Sequence, residues 1–88
     1  MSAWIYILYS PSADRHFVGH TTEPVLERLR KHNSNHKGFT VKFNDWEIVY
    51  TELFQSKKFA FQREMQVKGW KSRKKIEDLI KRRSEHPD

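Results

Sequence analysis

Cysteine is absent from this 88-residue chain. Neither a disulfide nor a thiolate zinc site can therefore staple the fold, and the absence fits a reducing cytoplasm. Long apolar runs are absent too, since none approaches the roughly 20 residues needed to span a bilayer. The opening Met1-Ser2-Ala3-Trp4 lacks the basic-then-apolar pattern of a secretory signal. A cytoplasmic protein with no membrane partner is expected. No internal repeat or interdomain linker is visible, and the length suits one compact domain over residues 1–88.

Charge is what the chain has in quantity. Charged residues make up 32% and the net charge is +6. From Lys57 onward there are 11 Lys/Arg and 5 Asp/Glu, so this last third carries all of that +6; the first 56 residues hold 6 of each and balance. A one-sided basic surface attracts polyanions, nucleic acid first among them. A solvated, Lys-rich helix face fits the charge equally well. Aromatics reach 14%, which lets a small domain bury much area with few side chains.

Trp4 to Tyr9 is aromatic and β-branched and reads as a strand buried on both faces. Ser10-Pro11-Ser12-Ala13-Asp14 is turn chemistry, and His16 to His20 reads as a short second strand forming a hairpin with the first. Thr21-Thr22-Glu23-Pro24 looks like a helix entrance, with Thr22 or Glu23 as cap and Pro24 in the first turn. That helix runs to about Asn33, with Val25, Leu26 and Leu29 towards the core. Asn35 to Asn44 is a basic loop, and Trp46 to Phe54 a third strand. Ser56 caps a second helix from Lys57 to Lys68 that stops at Gly69, and Ser72 caps a third through about Arg83, with Ile76, Leu79 and Ile80 at core spacing. His86-Pro87-Asp88 is a frayed tail. The order ββαβαα implies an α+β fold with a three-stranded antiparallel sheet flanked by three helices.

Glu64 stands out on physical grounds. Ala60, Phe61, Met65, Val67 and Lys68 are assigned to one stripe of the second helix with Glu64 in its middle. An ionised carboxylate there is costly without a partner. A cationic side chain is the commoner partner, and a divalent metal the other. Arg28 and His32 are four apart and project from one helix face. Such a pair can be an exposed basic face, or can grip phosphate oxygens and move a proton. Tyr6 is by base rate a core aromatic, and Gly19 by itself marks only a turn or a close backbone approach. His16, His20, His32 and His36 could also be grouped as zinc ligands. One pair falls on a strand and no Cys assists, so zinc is not expected.

Together, Tyr6 in Trp4-Ile5-Tyr6, the tripeptide Phe17-Val18-Gly19, Arg28 with His32, and Glu64 in Gln62-Arg63-Glu64-Met65 resemble the GIY-YIG nucleases. These are small metal-dependent enzymes that cut DNA. The resemblance spans roughly Trp4 to Lys81 and is strongest with small single-domain bacterial members. It implies hydrolysis of a phosphodiester with one Mg²⁺ or Mn²⁺ on Glu64, Arg28 neutralising charge, a tyrosine handling the attacking water and His32 in support. It also implies that Lys37, Lys42, Arg63, Lys68, Lys71, Arg73 and Lys74 hold the nucleic-acid backbone, DNA more than RNA. A structure-directed role in DNA repair or turnover follows. No specificity module is visible, so selectivity would come from substrate shape, a protein partner or self-association of a monomer into a weak dimer.

The chain departs from the family at two places. Trp4 stands where the first motif has Gly, and Phe17 where the second has Tyr. Phe17 keeps the ring and loses the hydroxyl. Activity then depends on Tyr6 as the important phenol or on His20, three residues on, as the base. The alternative is a degenerate relative that binds nucleic acid or a partner without cutting.

Overall fold

Five apolar residues in a row, Trp4 to Leu8, point alternately to the two sides of a strand, and only a strand covered on both faces can bury them. β1 (Ala3–Ser10) is that strand, with Ile5, Tyr6, Ile7 and Leu8 all buried. A computed structural model describes residues 1–34 and 43–85, except the side chains of 83–85. β1 lies between β2 (Arg15–Thr21) and β3 (Glu47–Phe54) in the order β2-β1-β3 and is antiparallel to both. Three helices complete the order ββαβαα expected from the sequence: α1 (Val25–Asn33), α2 (Lys57–Gly69) and α3 (Arg73–Glu85). None of them is long and apolar enough to cross a membrane.

The alternation of β1 creates two cores. Ala3, Ile5 and Ile7 face Ala60 and Val67 of α2 and Leu79 of α3, joined by Val18 and Tyr50. Tyr6 and Leu8 face the other way, against Trp46 and against Val25 and Leu29 of α1. The β1–β3 register shifts between Ile7 and Leu8, pairing Ile7 with Tyr50 and Leu8 with Ile48. Val49 is thus the extra residue of a bulge. The shift lets Val49 and Tyr50 both pack on the α2 side while Ile48 packs on the α1 side.

Polar side chains pin the connections. In the hairpin loop, the Ser10 hydroxyl and the Ser12 N–H donate to Asp45 at 2.5 and 2.8 Å. Asp14, with φ at 53°, accepts from Tyr9 and from Arg73 of α3, which holds its carboxyl down at about 2. The Asn33 amide accepts from the Trp46 N–H at 2.8 Å and donates to the Trp46 carbonyl at 3.0 Å. The end of α1 is thereby clamped to the entrance of β3.

Several local expectations need correction. α1 begins after Pro24 with no side-chain cap, and the Thr21 hydroxyl instead accepts from the Glu23 N–H at 2.9 Å. Leu26 is 73% exposed, because the inward stripe of α1 is Val25, Arg28, Leu29 and His32. In α2 the core stripe is Ala60, Glu64 and Val67, while Phe61, Met65 and Lys68 lie on the neighbouring, exposed one. Ser56 does cap α2, accepting from the Phe59 N–H. Gly69 is the last helical residue, and it is Lys71, with φ at 48°, that adopts the left-handed turn before α3.

Candidate active site at the edge of the sheet

β2 is an edge strand, and its residues alternate between the two faces of the sheet. Gly19 pairs with Tyr6 and Phe17 with Leu8, so both lie on the α1 side. Val18 and His20 lie on the α2 side, opposite Ile7 and Ile5. The candidate residues therefore form two groups that meet around the outside of β2.

On the α1 side the centre is Tyr6, only 1% exposed. Its ring lies across Gly19. A Cβ on Gly19 would sit 2.7 Å from the Tyr6 hydroxyl and 2.8 Å from Cζ, with Phe17 Cε1 at 3.0 Å. Glycine is thus required by space. The i, i+4 spacing brings both Arg28 and His32 to this ring. The Tyr6 hydroxyl and His32 Nε2 are 3.1 Å apart. Attraction to the Tyr6 hydroxyl raises the Arg28 pKa against the opposing effect of burial, while Arg28 Nε is buried with no hydrogen-bond partner among the described residues. Burial, and then the Arg28 charge, lowers the His32 pKa to about 4, so the imidazole is neutral near pH 7. Across the Tyr6–His32 contact the hydroxyl donates when His32 Nε2 is unprotonated and accepts when Nε2 carries the proton. The Phe17 ring packs at a tilt against His32, 4.5 Å between centroids.

On the α2 side, Glu64 is 6% exposed. Its Oε1 is 2.6 Å from His20 Nδ1 and its Oε2 is 2.7 Å from Lys68 Nζ. A carboxylate accepts, so His20 Nδ1 carries the proton of this bond, and Nε2 is the ring nitrogen left for another partner. The two groups join at Lys68, whose Nζ lies 5.9 Å from the centre of the Phe17 ring. Tyr6, Phe17, Gly19, His20, Arg28, His32 and Glu64 are thus linked by an unbroken series of contacts.

The residues expected to hold a nucleic-acid backbone are dispersed. Lys37 and Lys42 lie outside the described residues, as does His36. Arg63 is engaged by Glu52 at 3.1 Å and Gln66 at 2.7 Å, over the Trp70 ring. Arg73 is committed to Asp14 and Glu77. Lys68 is on Glu64, and Lys71 and Lys74 are exposed. His16 packs at a tilt against Tyr9 at the far end of the hairpin, away from His20 and His32. Two contributors had not been singled out as such: Asn33, whose partner is 13 residues on, and Phe61, whose ring meets His20 edge-on at 5.4 Å. The i, i+4 spacing of Glu64 and Lys68 was a readable signal for their ion pair.

The solution NMR structure of the UPF0213 protein BH0048 from Bacillus halodurans is similar to this chain, with a TM-score of 0.59 at 30% identity over 92% of this chain and 84% of that one. No curated protein matches. The GIY-YIG catalytic domain family matches residues 2–77, nearly the whole of the fold just described. With its motif residues gathered at one sheet edge, the chain belongs to the GIY-YIG catalytic domain family.

Proposed function

We propose that this protein is a divalent-metal-dependent endonuclease that hydrolyses phosphodiester bonds in DNA. Family membership carries nuclease-type activity in general. The observation that carries the finer proposal is Glu64, a carboxylate set into the core stripe of α2 and joined through Lys68 and Phe17 to the Arg28–Tyr6–His32 group. Mg²⁺ and Mn²⁺ are hard cations; Mg²⁺ in particular keeps several waters and takes one or two carboxylates together with substrate phosphates. Among the described residues no three His, Cys, Asp or Glu side chains come together as a metal site, so Glu64 would be the protein's carboxylate ligand and Lys68 would yield its place on Oε2. The ion, when bound, would supply Lewis-acid polarisation of the scissile phosphate.

The remaining roles belong to side chains. Arg28 has an unspent donor and a fixed charge for the phosphate oxygens. Tyr6 can pass its proton to His32 while Arg28 stabilises the phenolate oxygen. His20, oriented by Glu64, presents Nε2 to an attacking water. Either route replaces the hydroxyl missing at Phe17. Exposed Lys71 and Lys74 would contact the backbone without reading sequence. The finer reading is selection of substrates by their structure, in repair or turnover in the cytoplasm.

Nicking of supercoiled plasmid with Mg²⁺ or Mn²⁺ tests this. The wild type should nick, Glu64→Ala should lose all metal-dependent nicking, and Tyr6→Phe or His20→Ala should lose about 100-fold or more. Equal nicking by Glu64→Ala overturns the proposal. A second function, binding without cutting, is favoured by Phe17 and by the occupation of both Glu64 oxygens by His20 and Lys68. It predicts no nicking in either metal and equal DNA retention by wild type and Glu64→Ala.

A further inference from the structure

Phe61, Met65 and Lys68 form an exposed stripe of α2 that runs alongside the buried Glu64. Phe61 is 46% exposed and Met65 42%, although apolar side chains of this size are normally drawn into the core. Phe61 also touches the His20 ring that bonds Glu64. A half-exposed aromatic ring thus stands directly beside the groups proposed to act on the phosphodiester. The Lys68 ammonium lies at the other end of the same stripe, on the segment that carries the excess positive charge.

We infer that Phe61 is a stacking platform for an unpaired base of the DNA strand whose phosphate lies at Glu64. This deepens the nuclease proposal and rests on it for the identity of the ligand. An aromatic face receives any base that has left its stack, because every base has a π-face. Bases inside a duplex are stacked on their neighbours and cannot use it. The platform therefore selects frayed ends, flaps or single strands by their structure. It gives this fold a physical source of selectivity. Arg28 and Lys68 hold phosphate, and Phe61 distinguishes a loose strand from a paired one.

The test is binding of a single-stranded oligodeoxynucleotide carrying 2-aminopurine, and of the matching duplex, in EDTA at physiological ionic strength. Wild type should quench the 2-aminopurine in the single strand. Phe61→Ala and Phe61→Leu should each bind the single strand at least about 10-fold more weakly, about 1.4 kcal/mol, with duplex binding changed less than twofold. Phe61→Trp should retain the affinity. Thermal unfolding of each variant checks the fold, and Phe61→Trp keeps an aromatic at the site should the smaller residues unsettle it. Three results overturn the inference: no single-strand binding by wild type, Phe61→Leu binding like wild type, or equal losses for single strand and duplex. Because the measurement excludes metal and cutting, it stands apart from nicking. A wild type that never nicks refutes the nuclease proposal and leaves the Phe61 result to be judged on its own.

Discussion

Gly19→Ala adds a single methyl group where the α1 side of the sheet has no space for one. The new Cβ would lie 2.7 Å from the Tyr6 hydroxyl, 2.8 Å from its Cζ and 3.0 Å from Phe17 Cε1. Clashes with the tip of a flexible side chain are cheap, but this tip is not free. Tyr6 is a rigid ring, buried on the central strand, with its hydroxyl against His32 and Arg28. Phe17 cannot retreat easily either, since its ring packs against His32. Overpacking of this kind costs about 1–3 kcal/mol. Opposing it, Ala restricts the unfolded chain and returns about 0.4–1 kcal/mol where the backbone allows it. The net expectation is a loss of about 1–2 kcal/mol, or about 5–15 °C in Tm for a chain of this size.

Urea unfolding followed by tryptophan fluorescence measures the loss, and a double-mutant cycle identifies its source. Tyr6→Phe removes the nearest atom but leaves Cζ at 2.8 Å, so Gly19→Ala should remain costly in that background. Tyr6→Leu removes the whole distal ring, and there the cost should fall by at least about 1 kcal/mol. A Gly19→Ala protein as stable as the wild type, or one whose cost is unchanged by Tyr6→Leu, would show that the ring does not demand the glycine. It would also separate the motif glycine from the tyrosine it is paired with.

Two further outcomes follow from the same group of residues. The His32 pKa is about 4 in the folded chain, against an ordinary 6.5, so between these values the unfolded chain binds a proton that the folded chain refuses. Stability should be flat above about pH 6.5 and fall by about 1–2 kcal/mol as pH drops to about 4, less than the full shift allows because His32 is only half-buried; a His32→Gln protein with the same slope in urea midpoints refutes this. Phe17→Tyr restores the absent hydroxyl to a ring whose place is already set, and should raise plasmid nicking by about 10-fold or more if a phenol at this position handles the water. An unchanged rate, with Tyr6→Phe inactive, assigns that work to Tyr6.

Much of the fold was legible because its strongest patterns are local. The apolar run of β1 admits few structures other than a doubly covered strand, and Ser56 and Ser72 mark the entrances of α2 and α3 by cap chemistry. Glu64 was legible because its offsets from Ala60 and Val67 put it on their stripe. The assignment of Phe61, Met65 and Lys68 to that stripe failed because apolar residues are spread around α2. Which direction is inward is decided by packing on β1 and β2, and a helix pattern without contrast does not report it. Leu26 fails for a related reason: α1 gives its inward positions to Arg28 and His32, and an exposed leucine is the consequence. The His20–Glu64 and Asn33–Trp46 bonds join residues 44 and 13 apart, and no spacing rule anticipates them.

The position of β2 at the sheet edge explains how a tripeptide motif can serve residues on two faces. On a central strand, Phe17 and Gly19 would be separated from His20 by the sheet and by a second neighbouring strand. At an edge, a side chain from α2 can come around β2, and Lys68 does so, with one end of its reach on Glu64 and the Phe17 ring 5.9 Å from its ammonium. The ring at position 17 is therefore the joint between the α1 group and the α2 group, in contact with His32 on one side and approached by Lys68 on the other. Those are contacts of a ring face and edge, which Phe makes as well as Tyr. The departure from the motif leaves this joint in place and removes only an oxygen. Its consequences should appear in the chemistry of the water and not in the stability or geometry of the site.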